Sequence, residues 1–112
     1  MVIRLFGGIR VRPGMEDRER QLAEKFFSAV ESMPGFISRS TYPAAGGEEV
    51  GVVRFDSRES LDNWIHVGEQ IAADAGASEI YESFWVEDAE TFREFTWKDG
   101  VHTDSDRTTL LS

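Results

Sequence analysis

The sequence predicts an α+β domain whose strands and helices follow the order β-α-β-β-α-β, and three observations predict it. Apolar residues alternate in four stretches and recur at helical spacing in two others. Pro13-Gly14 and Pro34-Gly35 punctuate the two ends of the first helical stretch. A short loop with two glycines, Pro43 to Gly47, joins the two middle extended stretches as an antiparallel hairpin.

Taken in order, Val2 to Arg12 reads as a strand with Ile3, Leu5, Gly7, Ile9 and Val11 on a core face and Arg4, Phe6, Gly8, Arg10 and Arg12 on the other. Gly7-Gly8 in mid-strand predicts a bulge, or else the close approach of another group. Glu16, Asp17 and Glu19 suit the positive end of a helix, and Leu22, Phe26, Ala29, Val30 and Met33 give that helix its apolar stripe. Arg18, Arg20, Glu24, Lys25 and Glu31 make its solvated face. Phe36 to Tyr42 and Glu49 to Phe55 are the second and third strands. At Phe55 the apolar period switches from two to that of a helix. Asp56 is the expected cap, with Glu59 returning a bond to its N–H. The helix runs from about Ser57 to Asp74 with Leu61, Trp64, Ile65, Gly68, Ile71 and Ala72 inward, and Gly76 stops it. Ala77 to Tyr81 can add a further helical turn. Ser83 to Trp97, rich in aromatic and β-branched residues, is read as one long strand. The chain from Lys98 to Ser112 is a polar tail without periodicity. The domain therefore spans residues 1–97 and the tail residues 98–112.

This order is the split βαβ arrangement of ferredoxin-like domains, a four-stranded antiparallel sheet with both helices on one face. The other face is left bare, with Phe6, Val52 and aromatics of the last strand on it. A second copy covers such a face, which predicts a homodimer.

A chain of 112 residues suits one domain. It has no cysteine, so disulfides, thiolate metal sites and a cysteine nucleophile are excluded. No apolar run reaches membrane-spanning length and the first residues do not form a signal peptide, which fits a cytoplasmic location. The net charge of −9 argues against nucleic acid and anionic membranes as partners. Arg4, Arg10 and Arg12 are the local exception. They can receive an anionic or phenolate ligand, although pairing with acids on a neighbouring strand is the simpler expectation. No glycine-rich phosphate loop and no cluster at metal-ligand spacing is present, so neither a nucleotide cofactor nor a metal is implied.

Arg10-x-x-Pro13-Gly14, Met33-Pro34-Gly35-Phe36 and Arg54-Phe55-Asp56-Ser57-Arg58-Glu59-Ser60-Leu61-x-x-Trp64 together resemble the antibiotic biosynthesis monooxygenase domain, over roughly Val2 to Trp97. The resemblance implies a dimeric α+β barrel with a cleft between sheet and helices in each subunit. It implies a cofactor-independent monooxygenase that uses the substrate's own carbanion to reduce O2, on a small aromatic or polyketide-like substrate. A non-catalytic dimeric module of the same fold, binding a small molecule or a protein, is the alternative, and a non-redox cyclase or isomerase is a third. The haem-degrading branch needs an Asn and a His where this chain has Gly7 and Asp74, so haem degradation is not expected.

Trp64 is either a core plug or the wall of the cleft, and on the sequence both stand. Asn63 beside it can donate to a ligand oxygen, and Arg10 can stabilise an enolate. Tyr42, Tyr81, Trp85 and Phe92 are aromatics that can line the cleft. His66 points away from the Trp64 face, and no general base is identified.

Overall fold

A computed structural model describes residues 2–104 of the chain. Residues 105–112, in the expected tail, lie outside the described residues. The elements are β1 (Val2–Val11), α1 (Glu16–Glu31), β2 (Phe36–Pro43), β3 (Glu49–Phe55), α2 (Arg58–Ala75), a short α3 (Ala77–Ile80), β4 (Tyr81–Thr91), β5 (Phe95–Lys98) and β6 (Val101–Asp104). The four-stranded sheet has the order β2-β3-β1-β4 with every neighbouring pair antiparallel. The α+β, ferredoxin-like arrangement read from the sequence is the arrangement observed.

Both helices pack on the face of β1 that carries Ile3, Leu5, Gly7 and Ile9, as right-handed crossovers require. The core sits at one end of this layer, where Ile3, Val30, Phe55, Leu61 and Trp64 close on one another. Leu22 and Ile80 are buried outside this cluster, and Ile80 lies at the opposite end of β1, where its carbonyl accepts from the Arg12 N–H at 2.9 Å. The helix α2 starts at the strand junction that the period switch marks, but Ser57 is its cap, one residue later than expected. The Ser57 Oγ accepts from the Ser60 N–H at 3.1 Å, and the Ser60 hydroxyl donates to Asp56 Oδ1 at 2.9 Å. The Asp56 N–H is already committed to the Gly35 carbonyl at 2.9 Å, so it is not open to a returning bond from Glu59. Gly35 has φ of 84°, and a side chain there would collide with Ser60 and Asp56, so only glycine fits. Gly76, left-handed with φ of 68°, ends α2 as expected.

Two further expectations are corrected. Gly7-Gly8 is no bulge: the register runs unbroken from Ile3↔Phe55 to Ile9↔Glu49, and the irregularity with β4 falls at Arg10 and Val11. Gly8 instead admits the indole of Trp85, its partner across β4, which a Cβ would overlap. The stretch from Ser83 to Trp97 is not one strand. β4 ends at Thr91, and Glu94 turns onto the far face of the sheet to meet Arg54 at 2.8 Å. β5 then pairs with β6 in a separate two-stranded sheet around Asp99-Gly100, both at positive φ. Strand β6 thus occupies positions that the sequence assigned to the tail.

Candidate functional site

The helix-facing side of the sheet alternates Ile3, Leu5, Gly7 and Ile9 on β1 against Phe55, Val53, Gly51 and Glu49 on β3. Gly7 and Gly51 therefore face each other in register with no side chain on either. A Cβ on Gly7 or Gly51 would meet only backbone oxygens, at 3.7 Å or more. On α2 opposite, Gly68 again presents no side chain, and Ala23, Ala72 and Ala77 continue the small residues. The result is a cavity of about 560 Å³ between the sheet and the helices. That volume is in the range of small-molecule sites.

Trp64 forms one wall of the cavity and is also part of the core, with only 7% of its surface exposed. Phe26 of α1 holds it edge to face, with ring centroids 6.2 Å apart and planes at 80°. Among the described residues no acceptor meets the Trp64 indole N–H. Phe84 and Val86 of the edge strand β4 extend the apolar lining.

The ionisable groups that line the cavity are Glu19 of α1, Glu49 of β3, Glu69 of α2 and Tyr81 of β4. Burial pushes the Glu19 carboxyl above its usual range, and the neighbouring Glu49 charge adds to this against a smaller opposing effect of Arg20. Burial, then Glu19 and Glu49, push the Tyr81 phenol up to about 12. Both shifts come first from burial and second from the neighbouring acids.

Of the residues singled out in the sequence, Trp64 and Tyr81 are brought together on this cavity. Asn63 is exposed on the outside of α2, one position round the helix from Trp64. Arg10, Tyr42 and Trp85 lie on the opposite face of the sheet. The Arg10 guanidinium donates to the Gly46 carbonyl, and the Trp85 Nε1 donates to Glu48 Oε2 at 3.1 Å. Phe92 stands beyond the end of β4 and is 80% exposed. Of the arginines on β1, Arg4 reaches Thr91 Oγ1 at 3.3 Å and Arg10 is on the Gly46 carbonyl, while Arg54 of β3 holds both Glu94 oxygens, at 2.8 and 2.9 Å.

Glu19, Glu49 and Phe84 were missed. Glu19 carried a signal, because it precedes Leu22, Phe26 and Val30 at three, seven and eleven residues and so lies on the apolar stripe. A hollow on the solvent side of α1, around Gln21, Glu24 and Lys25, is open to solvent and receives no side chain from a second element. No described helix is long and apolar enough to cross a membrane, and no group of metal-ligating residues occurs among the described residues.

No family profile matches the chain. The cofactor-independent oxygenase SnoaB of Streptomyces nogalater superposes with a TM-score of 0.65 at 8% identity, covering 80% of this chain and 92% of that one. The two share a fold. A candidate antibiotic biosynthesis monooxygenase from Caulobacter crescentus CB15 superposes with a TM-score of 0.67 at 13% identity, over 80% and 89% of the two chains. The fold expected from the motifs is thus the fold that this chain shares with both proteins. At the level of sequence, the uncharacterized protein YqjZ of Bacillus subtilis is 29% identical over 83 residues, 73% of each chain.

The raised Glu19 carboxyl has a consequence for stability. A carboxyl whose folded pKa is raised contributes stability below its ordinary value of 4.5 and loses it as pH rises through the folded value. Glu19→Gln should therefore melt at a higher temperature than the parent at pH 7, with the difference fading below about pH 4.5. Thermal denaturation across that range checks it, and a variant destabilised at pH 7 contradicts the placement of Glu19.

Proposed function

We propose that the chain is a cofactor-independent monooxygenase that takes a small, flat, electron-rich aromatic substrate into the cavity beside Trp64. The observation that carries this is the cavity itself: apolar walls, a flat indole with an uncommitted N–H, and polar groups from several elements converging on its rim. A packed interior would instead have favoured a module without catalysis. The fold shared with SnoaB, described as a cofactor-independent oxygenase, supports the same reading.

In this chemistry the substrate loses a proton from an activated carbon, and the resulting carbanion passes its electrons to O2. The carbon–oxygen bond forms as a peroxide, the O–O bond then breaks, and one oxygen stays on carbon while the other leaves as water. An anthrone with one O2 gives an anthraquinone and one water. The apolar lining keeps bulk water from the carbanion, and Trp64 orients the ring by stacking. Oxygen uptake with anthrones and quinols is the test. Turnover should fall at least tenfold in a Trp64→Phe variant that still folds, about 1.4 kcal/mol of lost transition-state stabilisation or more. No uptake by the parent across the panel, or full turnover in Trp64→Phe, contradicts it.

The proposal includes a homodimer paired through the face of the sheet away from the helices. Tyr42 on that face is 54% exposed, and the β5-β6 hairpin exposes Trp97 and Val101 at 68% and 63%. The radius of gyration is 16.3 Å. A compact chain of this length has about 13 Å. Sedimentation velocity at micromolar concentration should give twice the 12.7 kDa chain mass, and a monomer contradicts the pairing.

A further inference from the structure

The charged side chains that reach the cavity are all of one sign. Among the described residues that line it, Glu19 stands on α1, Glu49 on β3 and Glu69 on α2, with Tyr81 of β4 near enough to the first two for their charges to act on its phenol, and there is no lysine, arginine or histidine. Among the described residues none of these three carboxylates is held in an ion pair or a side-chain hydrogen bond. Other acids are held: Asp17 by Arg20 at 3.0 Å, Glu79 by Arg18 at 3.2 Å and Asp88 by Arg58 at 3.2 Å. Arg20, the basic group that acts on Glu19, is itself committed to Asp17 and points to solvent. Glu49 and Glu69 are exposed at the rim, whereas Glu19 is half-buried.

We infer that the Glu19 carboxylate, backed by Glu49 and beside the Tyr81 hydroxyl, is the proton-accepting end of the cavity, so that the site admits aromatic ligands ending in an O–H or N–H donor and turns away those ending in a carboxylate. The physical reason is solvation. A ring that fills the apolar space displaces water from the inner side of Glu19, and an ionised carboxylate without a donor loses its hydration there. A phenol or an ammonium group replaces the lost water with a charge-assisted hydrogen bond. A ligand carboxylate brings a like charge into a low-dielectric space instead, and both groups are destabilised. The apolar walls are indifferent to the choice, so Glu19 decides it.

This inference rests on the cavity being a ligand site, as proposed above, but not on any oxygen chemistry, so it is tested by binding alone. The probes are 2-naphthol, 2-naphthylmethylamine and 2-naphthoate, which share one ring system and differ in the terminal group. Isothermal titration at pH 7 should show the alcohol and the amine binding at least about tenfold more tightly than the carboxylate. In Glu19→Gln, with its fold checked by circular dichroism, that preference should fall by about tenfold, and Glu49→Gln should reduce it less. Equal or tighter binding of 2-naphthoate overturns the inference. So does a preference that survives intact in Glu19→Gln, or failure of all three probes to bind at millimolar concentration. A parent that shows the preference but consumes no oxygen keeps this inference and rejects the oxygenase.

Discussion

The space between the sheet and the helices exists because glycine stands where side chains would otherwise meet. Gly7 and Gly51 oppose each other on adjacent strands, and Gly68 faces them from α2. None of the three has a positive φ, and none of the three is forced by the close approach of a neighbour. Their absence of side chains is therefore neither a backbone requirement nor a packing requirement. The separation of the layers is set elsewhere, by Ile3, Val30, Phe55 and Leu61 at the far end. Trp64 sits at the boundary and belongs to both regions, which is why its two readings from the sequence are not exclusive as geometry.

On the side away from the helices, arginines of β1 and β3 meet Glu94 and backbone or hydroxyl oxygens, and the ion pairs are partly buried. On the helix side the rim of the cavity is acidic. An anionic ligand drawn to the arginines would thus find them committed to the protein itself. The acids of the cavity, by contrast, are uncompensated, and the raised carboxyl of Glu19 records the stability lost by placing it there.

Much of the fold could be read from the chain because local signals and tertiary packing agree. The switch of period at Phe55, the Pro-Gly stops and Gly76 each mark a boundary that the structure repeats. Where the reading failed, two signals competed. Asp56 and Ser57 are both good caps, and only the tertiary bond from the Asp56 N–H to Gly35 decides between them. Asp99-Gly100 carried a hairpin signal, but it lay inside a polar stretch and was read as tail. The cavity was less legible than the fold. Glu19 was hidden among helix-start acids, although its spacing from Phe26 put it on the apolar stripe. Gly7-Gly8 suggests either a bulge or a close approach, because a single strand does not show what each glycine faces. The aromatics of β4 alternate between faces, and without a register Trp85 and Phe84 could not be told apart.

Whether this volume is kept open for a ligand is decided by Gly68→Leu. The added side chain points from α2 into the cavity, where a Cβ meets Trp64 and Phe26 no closer than 3.7 Å. Replacing a mid-helix glycine also favours the helix by about 0.5 to 1 kcal/mol. Titration of Gly68→Leu with 2-naphthol is the measurement. The variant should fold and no longer bind the probe, and binding as tight as that of the parent would show that the cavity does not hold the ligand.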